Sequence, residues 1–299
     1  MKVLVTGGAG FIGSNIVEGL VSNGHEAIAF DNFFLGKKEN LSGIKVEIIK
    51  GDIRDRNALD KAADGCDFIF NEAAASSSPM FNEDLREAVS ANIDGFVNVL
   101  DIARKHDCGL VYASTSSIYG NTNGALREDM KVVPPNFYAA TKLANEHLAS
   151  VYSDEYGIKA IGFRYMSVYG MREEGKGMFA NLVSQFLWMM KKNEQPVIYG
   201  DGTQTRDFVF AKDVAEAHLL AMRSNAKNDI FNIGTGNATP LNGLVSLLNK
   251  ILGKNIKPKY IRMPVKNYIA KQKADTSKAE KLLGFGAKYS LEEGVRQML

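Results

Sequence analysis

Apolar residues occur in short, nearly unbroken runs through the first half of this chain: Val3–Thr6, Glu26–Asp31, Val46–Gly51, Phe68–Asn71, Leu110–Ser114 and Ala160–Arg164. Runs of this length without polar alternation fit strands covered on both faces, as in a parallel sheet. Helical patterns separate them. Ser14–Asn23 predicts a helix stopped by Gly24, Arg86–Lys105 a long one, and Tyr138–Tyr156 another stopped by Gly157. Strands alternating with helices imply right-handed βαβ units and an α/β fold with a doubly wound parallel sheet, the Rossmann architecture.

After Tyr165 the pattern loosens. Gly, Lys and Glu cluster at Glu173–Gly177, ahead of a helix expected over Phe179–Lys192. Short apolar runs follow at Val197–Tyr199, Phe208–Phe210 and Ile230–Ile233, then helices over Leu241–Leu252 and Thr276–Leu283. The reading is a dinucleotide-binding domain over 1–165, rejoined by a later segment near 205–235, and a smaller α/β substrate-binding domain over 166–299. The second domain is expected to cover the cleft at the carboxyl end of the sheet.

Composition narrows the function. The chain has 299 residues, and a formal charge of +2 is too mild to argue for nucleic acid or an anionic membrane as partner. An anionic substrate must then be held by individually placed arginines. Cys66 and Cys108 lie in apolar runs and read as buried hydrophobes, and the four histidines show no ligand spacing, so no metal is expected. Met1–Thr6 runs directly into a glycine-rich loop, which reads as a buried strand rather than a signal peptide. No apolar stretch approaches the ~20 residues that span a bilayer. The expected location is the cytoplasm.

The glycine run Gly7-Gly8-Ala9-Gly10-Phe11-Ile12-Gly13 follows a strand and opens a helix, the setting in which such a run binds a dinucleotide. Gly7 allows the tight turn, Gly10 lets the backbone approach a pyrophosphate, and Gly13 lets the helix pack closely. The helix N-terminus adds free N–H groups and partial positive charge. Asp31 ends the second strand 18 residues after Gly13, where a carboxylate accepts from a ribose 2′-hydroxyl and repels a 2′-phosphate. That favours NAD. Asp52, at the end of the third strand, is placed to reach the adenine.

Reactive groups come next. Tyr138 and Lys142 are four apart and project from one helix face. Ser114-Thr115-Ser116-Ser117 follows the fifth strand, where a parallel sheet delivers residues to its cleft. A free tyrosine titrates near ~10, and a neighbouring ammonium together with a cationic nicotinamide would lower it. Thr115 could then orient a substrate alcohol while Tyr138 takes its proton.

These residues resemble the extended short-chain dehydrogenase/reductase family, in its nucleotide-sugar epimerase and dehydratase branch, and the likeness runs over nearly the whole chain. It is carried by Thr6–Gly13, Asp31-Asn32 with Gly36 and Asn40, Gly51-Asp52, Ala73-Ala74, Asn92 with Gly95, and Tyr119-Gly120. Tyr138…Lys142, Arg164-Tyr165…Tyr169-Gly170, Gly200-Asp201-Gly202…Arg206-Asp207-Phe208, Asn232–Gly236 and Asp275–Ala279 continue it. The resemblance implies Thr115, Tyr138 and Lys142 as catalytic residues. It implies NAD contacts from Gly7, Gly10, Phe11, Ile12, Gly13, Asp31, Asn32, Gly36, Asp52, Ile53, Ala73, Ala74, Asn92, Tyr138, Lys142 and Tyr165. Substrate contacts are implied for Thr115, Ser116, Ser167, Asn181, Leu182 and Arg206, with Arg206 on the diphosphate.

Within that branch, 4,6-dehydratases carry an Asp-Glu pair after the catalytic Thr, where this chain has Ser116 and Ser117. What remains is similar to the UDP-glucose (UDP-galactose) 4-epimerases, which implies a transient 4-keto sugar and NAD that is regenerated in each cycle. The expected partner is a nucleotide-diphosphate sugar, most naturally a UDP-sugar, and the implied assembly is a homodimer through Arg86–Lys105 and Tyr138–Tyr156. The pattern departs at Met166-Ser167, at Asn71 (usually His), at Tyr268 for a uridine-ribose aspartate, and near Val265 or Lys266 for a second diphosphate arginine. Arg172–Gly177 is also similar to the ADP-heptose 6-epimerases. Other readings are a related enzyme acting on another sugar or carbon, a decarboxylase or reductase, and a non-catalytic NAD-binding protein.

Overall fold

The computed structural model describes residues 1–262 and 268–299. In its first half β1 (Lys2–Thr6) leads into α1 (Phe11–Ser22), β2 (Glu26–Asp31), β3 (Glu47–Lys50), α2 (Arg56–Ala62) and β4 (Phe68–Asn71). A short α3 (Met80–Glu83) precedes α4 (Leu85–Lys105), β5 (Gly109–Thr115), α5 (Phe137–Tyr156) and β6 (Ala160–Tyr165). The second half holds β7 (Ser167–Tyr169), α6 (Leu182–Lys191), β8 (Val197–Tyr199), β9 (Thr205–Arg206), β10 (Phe208–Phe210) and α7 (Ala211–Arg223). It ends with β11 (Asn228–Ile233), β12 (Thr239–Pro240), α8 (Leu241–Leu252), β13 (Lys259–Ile261), α9 (Ser277–Leu283) and α10 (Leu291–Gln297).

Seven of the strands form one parallel sheet in the order β11-β6-β5-β4-β1-β2-β3. The Rossmann architecture read from the apolar runs is therefore the one observed. Val3, Leu4 and Val5 are all fully buried, so both faces of β1 are covered. On one face α1 packs against α7, with Ile16, Val17 and Leu20 meeting Val214 and Ala215 in the same core. On the other, α2, α4 and α5 bury Leu59, Phe96, Val99, Leu100 and Ala149. Each Val, Leu, Ile or Phe among them contributes roughly 1.5–3 kcal/mol by leaving water. A separate core joins α6, α8 and α10 around Phe186, Leu244 and Val295.

Strand order reverses between β2 and β4, on either side of β1. A crevice opens there at the strands' carboxyl ends.

Two helix starts lie three residues from where the periodicity puts them, and a 13-residue helix escapes it. Helix α1 begins at Phe11 rather than Ser14, because Gly10 takes the N-cap position and Gly13 is already helical. Helix α6 begins at Leu182 rather than Phe179: Gly177 has a φ of 50°, and the Asn181 side chain caps the helix by accepting from Val183 N at 3.0 Å. Helix α7 has no counterpart in the sequence reading. Its buried face includes Asp213 and His218, which mask the apolar stripe.

Candidate active site

A cavity of about 670 Å³ lies at the carboxyl ends of β1, β4 and β5. Into it come Gly7, Gly10, Phe11, Ile12, Gly13, Asp31, Asn32, Gly36, Asp52, Ile53, Ala73 and Ala74. From the other side come Thr115, Ser116, Tyr138, Lys142, Tyr165, Ser167, Asn181 and Arg206. Two expected contacts lie elsewhere. Asn92 is buried behind the wall, where its amide accepts from Ala75 N at 2.8 Å and donates to Thr141 Oγ1 at 3.0 Å. Leu182 turns into the core of the C-terminal half. Val265 and Lys266 lie outside the described residues.

The glycine loop is shaped by contact. Gly7 has a φ of 67°, and a Cβ there would stand 2.8 Å from Ala73 N at the end of β4. At Gly13 a Cβ would fall on the Gly7 carbonyl oxygen. A Cβ at Gly10 would meet only that carbonyl oxygen, at 3.0 Å, among protein atoms closer than 3.5 Å. No side chain caps α1, so its first N–H groups are left for a ligand. The chain thus has the cradle that a dinucleotide pyrophosphate needs.

At the far end of the cradle, Asp31 accepts from Ala9 N at 3.0 Å and from Phe33 N at 2.7 Å. Burial raises its carboxyl above the usual value, against the pull of those N–H groups. Asp52 differs: the Arg54 guanidinium, bonded to it at 2.8 and 2.9 Å, holds its carboxyl well below the ordinary range. Arg54 N and the Asn32 amide also donate to Asp52, at 2.9 and 3.0 Å.

Tyr138 and Lys142 both point from α5 into the cavity. Lys142 is 2% exposed, and its ammonium donates to the Ala113 carbonyl at 2.9 Å. Burial pulls it down to about 8. Burial also pushes the Tyr138 phenol up to about 12, with the Thr115 hydroxyl acting in the lowering sense. The lowering expected from Lys142 is not found: burial of the phenol dominates, and the Thr115 hydroxyl is the group that opposes it. Thr115 Oγ1 also accepts from Ser117 N at 3.1 Å, so it closes β5 and caps the turn after it.

The opposite side of the cavity is polar. Ser116 Oγ accepts from Gln272 Nε2 at 2.6 Å, and Ser167 Oγ donates to Gln272 Oε1 at 2.9 Å. Arg206 lies over the Tyr268 ring at 5.1 Å and donates to Thr205 O. Burial lowers its guanidinium from the usual value. Gln272, Lys176 and Glu72 also line the cavity and were not picked out in the sequence. Glu72 had a readable signal, a carboxylate directly after an otherwise buried strand. Gln272 had none.

Among the described residues no three His, Cys, Asp or Glu side chains converge as a metal site, and no helix is long and apolar enough to cross a membrane.

The sequence profile of the NAD dependent epimerase/dehydratase family matches residues 3–234. The chain belongs to this family. It is 36% identical to a putative UDP-glucose 4-epimerase of Methanocaldococcus jannaschii, over 99% of this chain and 97% of that protein. It is 29% identical to a UDP-N-acetyl-alpha-D-glucosaminuronate decarboxylase of Bacillus cytotoxicus, over 100% and 96% of the two chains. Among solved structures, a UDP-glucose 4-epimerase of Thermotoga maritima with UDP-glucose superposes with a TM-score of 0.94 at 34% identity, covering 100% of this chain and 97% of that one. The cofactor is NAD, and the chemistry is that of the nucleotide-sugar epimerases and their relatives.

Proposed function

We propose that this protein is an NAD-dependent nucleotide-sugar 4-epimerase that interconverts UDP-glucose and UDP-galactose. The observation that carries this reading is the convergence of Thr115, Tyr138 and Lys142 on one cavity with serines, not acids, at 116 and 117. A dehydratase needs an acid and a base beside the Thr to remove water. A decarboxylase calls for an acidic residue there as well.

In this reading Gly7, Gly10, Phe11, Ile12 and Gly13 hold the NAD pyrophosphate. Asp31, Asn32 and Gly36 hold the adenosine ribose, Asp52 and Ile53 the adenine, and Ala73, Ala74 and Tyr165 line the path to the nicotinamide. Asn92 supports that wall from behind through Ala75. Bound NAD supplies the acceptor to which the C4 hydrogen leaves and from which it returns, by way of a 4-keto sugar. Tyr138 takes the C4 hydroxyl proton and later gives it back. Thr115 orients that hydroxyl, and Lys142 holds positive charge beside the phenol.

Arg206 holds the diphosphate, and Asn181, Ser116 and Ser167 bound the sugar. Binding energy placed on the nucleotide leaves the sugar free to present either face. The same reading pairs two copies through α4 and α5, which expose Leu85, Phe137, Val151 and Tyr156.

The test is incubation of the purified protein, with no added NAD, with UDP-, ADP-, GDP- and dTDP-sugars. Interconversion of UDP-glucose and UDP-galactose without net NADH absorbance is the expected result, abolished in Tyr138→Phe. Turnover of Tyr138→Phe at the wild-type rate would refute the mechanism, and selective turnover of another nucleotide sugar would replace the substrate.

A further inference from the structure

Residues 171–180, between β7 and α6, form a strap fastened beside the glycine loop. Asn15 Nδ2 of α1 donates to the Met171 carbonyl at 3.2 Å. Arg172 Nη1 donates back to α1, to Glu18 at 2.9 Å and to the Ser14 carbonyl at 3.3 Å. The Asn40 amide donates to the carbonyls of Ala9, at 2.9 Å, and of Arg172, at 3.5 Å, so one side chain holds loop and strap together. At Gly175 a Cβ would stand 2.5 Å from the Leu35 carbonyl oxygen, so the strap also lies directly on the chain that follows β2.

The other end of the strap is closed by Glu173. This residue is fully buried, and its carboxylate accepts from Asn181 N at 2.7 Å and from the Ser184 hydroxyl. Lys176 sits inside the turn so closed, its side chain 20% exposed and lining the cavity. Its Nζ stands 3.7 Å from Glu173 Oε1, beyond hydrogen-bond distance, and 5.6 Å from the centroid of the Phe11 ring. Phe11 is the first residue of α1, the helix whose leading N–H groups no side chain caps. An ammonium beside the partly positive end of a helix is unfavourable until an anion joins them.

We propose that Lys176 is a cofactor-binding residue, whose ammonium holds the NAD pyrophosphate from the strap while the N–H groups of α1 hold it from the glycine loop. This rests on the placement of the pyrophosphate at the start of α1. A nucleotide sugar carries a diphosphate of the same chemistry, but the fastenings of the strap select the cofactor. They run to α1, to Ala9 through Asn40, and to Leu35, the parts of the chain that build the cradle. The arginine assigned to the substrate diphosphate, Arg206, comes from β9 instead. A dinucleotide gripped by a strap pinned at both ends leaves slowly, which suits NAD that is reduced and reoxidised within one cycle.

The test follows NAD release from the loaded full-length protein on gel filtration, and rebinding of NAD, ADP-ribose and UDP, each alone, by calorimetry. Lys176→Met keeps the aliphatic stem and removes the charge. It is expected to weaken NAD and ADP-ribose alike by roughly ten- to a hundredfold, the worth of a hydrogen bond to a charged group. It should also flatten the salt dependence of NAD binding and leave UDP at its wild-type affinity. Lys176→Arg should stay near wild type. Wild-type NAD affinity in Lys176→Met would overturn the proposal, whether or not UDP binding falls; if that variant does not fold, Lys176→Gln decides in its place. Gly10→Ala tells the two placements apart: NAD retained there would remove the pyrophosphate from α1 altogether, whereas NAD lost there and kept by Lys176→Met would exclude the lysine alone. None of these measurements needs a nucleotide sugar to turn over, so they stand or fall separately from the epimerase reading.

Discussion

The carboxylate of Asp31 accepts the backbone N–H of Ala9 at 3.0 Å, tying the end of β2 to the middle of the glycine loop. Asp31 therefore shapes the glycine loop, in addition to the ribose contact proposed for it. Loss of a hydrogen bond to a charged group costs about 1.5–3 kcal/mol. Asp31→Ala should weaken NAD binding by roughly ten- to a hundredfold on that basis. Asp31→Asn should let NADP bind measurably, because the charge opposing a 2′-phosphate is gone. Calorimetric titration with both dinucleotides checks the pair of outcomes.

Two glycines of the same loop should fail differently. A Cβ at Gly13 strikes backbone that cannot move away, and overpacking of this kind costs about 1–3 kcal/mol or more. Gly13→Ala should lower the unfolding midpoint even without cofactor. At Gly10 the nearest atom to a Cβ is 3.0 Å away and the rest is open, so Gly10→Ala should fold near wild type. It should nonetheless lose NAD on gel filtration. Equal stability of the two variants would contradict the division.

Lys142 titrates near 8 in the fold against 10.5 for a free lysine. Between those values the unfolded chain binds a proton that the native chain does not, so stability rises with pH through that window. Below it, the native state carries the full penalty of a buried ammonium. Lys142→Met removes the penalty and should stabilise the protein at neutral pH by on the order of 3 kcal/mol. The gain should vanish as pH approaches 10.5, and activity should be lost throughout. Urea unfolding at both ends of the window checks the sign.

Behind the sheet, Arg164 donates to Glu146 through Nε at 2.9 Å and through a terminal nitrogen at 2.7 Å, with both side chains 6% exposed. Ser114 also donates to Glu146, and Tyr119 accepts from Arg164 at 2.9 Å. Glu146→Ala leaves a guanidinium buried without its partner and should cost about 3–5 kcal/mol. Glu146→Gln, which still accepts, should cost less. Thermal unfolding of the two variants measures the difference, and equal losses would assign the effect to packing alone.

Much of this was legible along the chain. Unbroken apolar runs announced a sheet covered on both faces, because such runs cannot leave one face in water. The glycine spacing announced the cradle, since each glycine answers a local backbone demand within a few residues. Tyr138 and Lys142 share a face because helical geometry puts positions four apart on one side. Local rules also misplaced some pieces. The start of α6 waited on the Gly177 turn, and α7 hid behind a buried aspartate and histidine.

The primary sequence by itself determined the sheet, the shape of the glycine loop and the shared helix face of Tyr138 and Lys142, all of which follow from periodicities and spacings within single elements. Only the tertiary structure decided their surroundings. It brought Glu72, Tyr165 and His218 together from the loop after β4, from β6 and from α7, turned Asn92 behind the wall, and set Gln272 between Ser116 and Ser167. The reason is physical: a side chain's charge depends on what lies within a few ångströms of it, and those neighbours are distant in the chain.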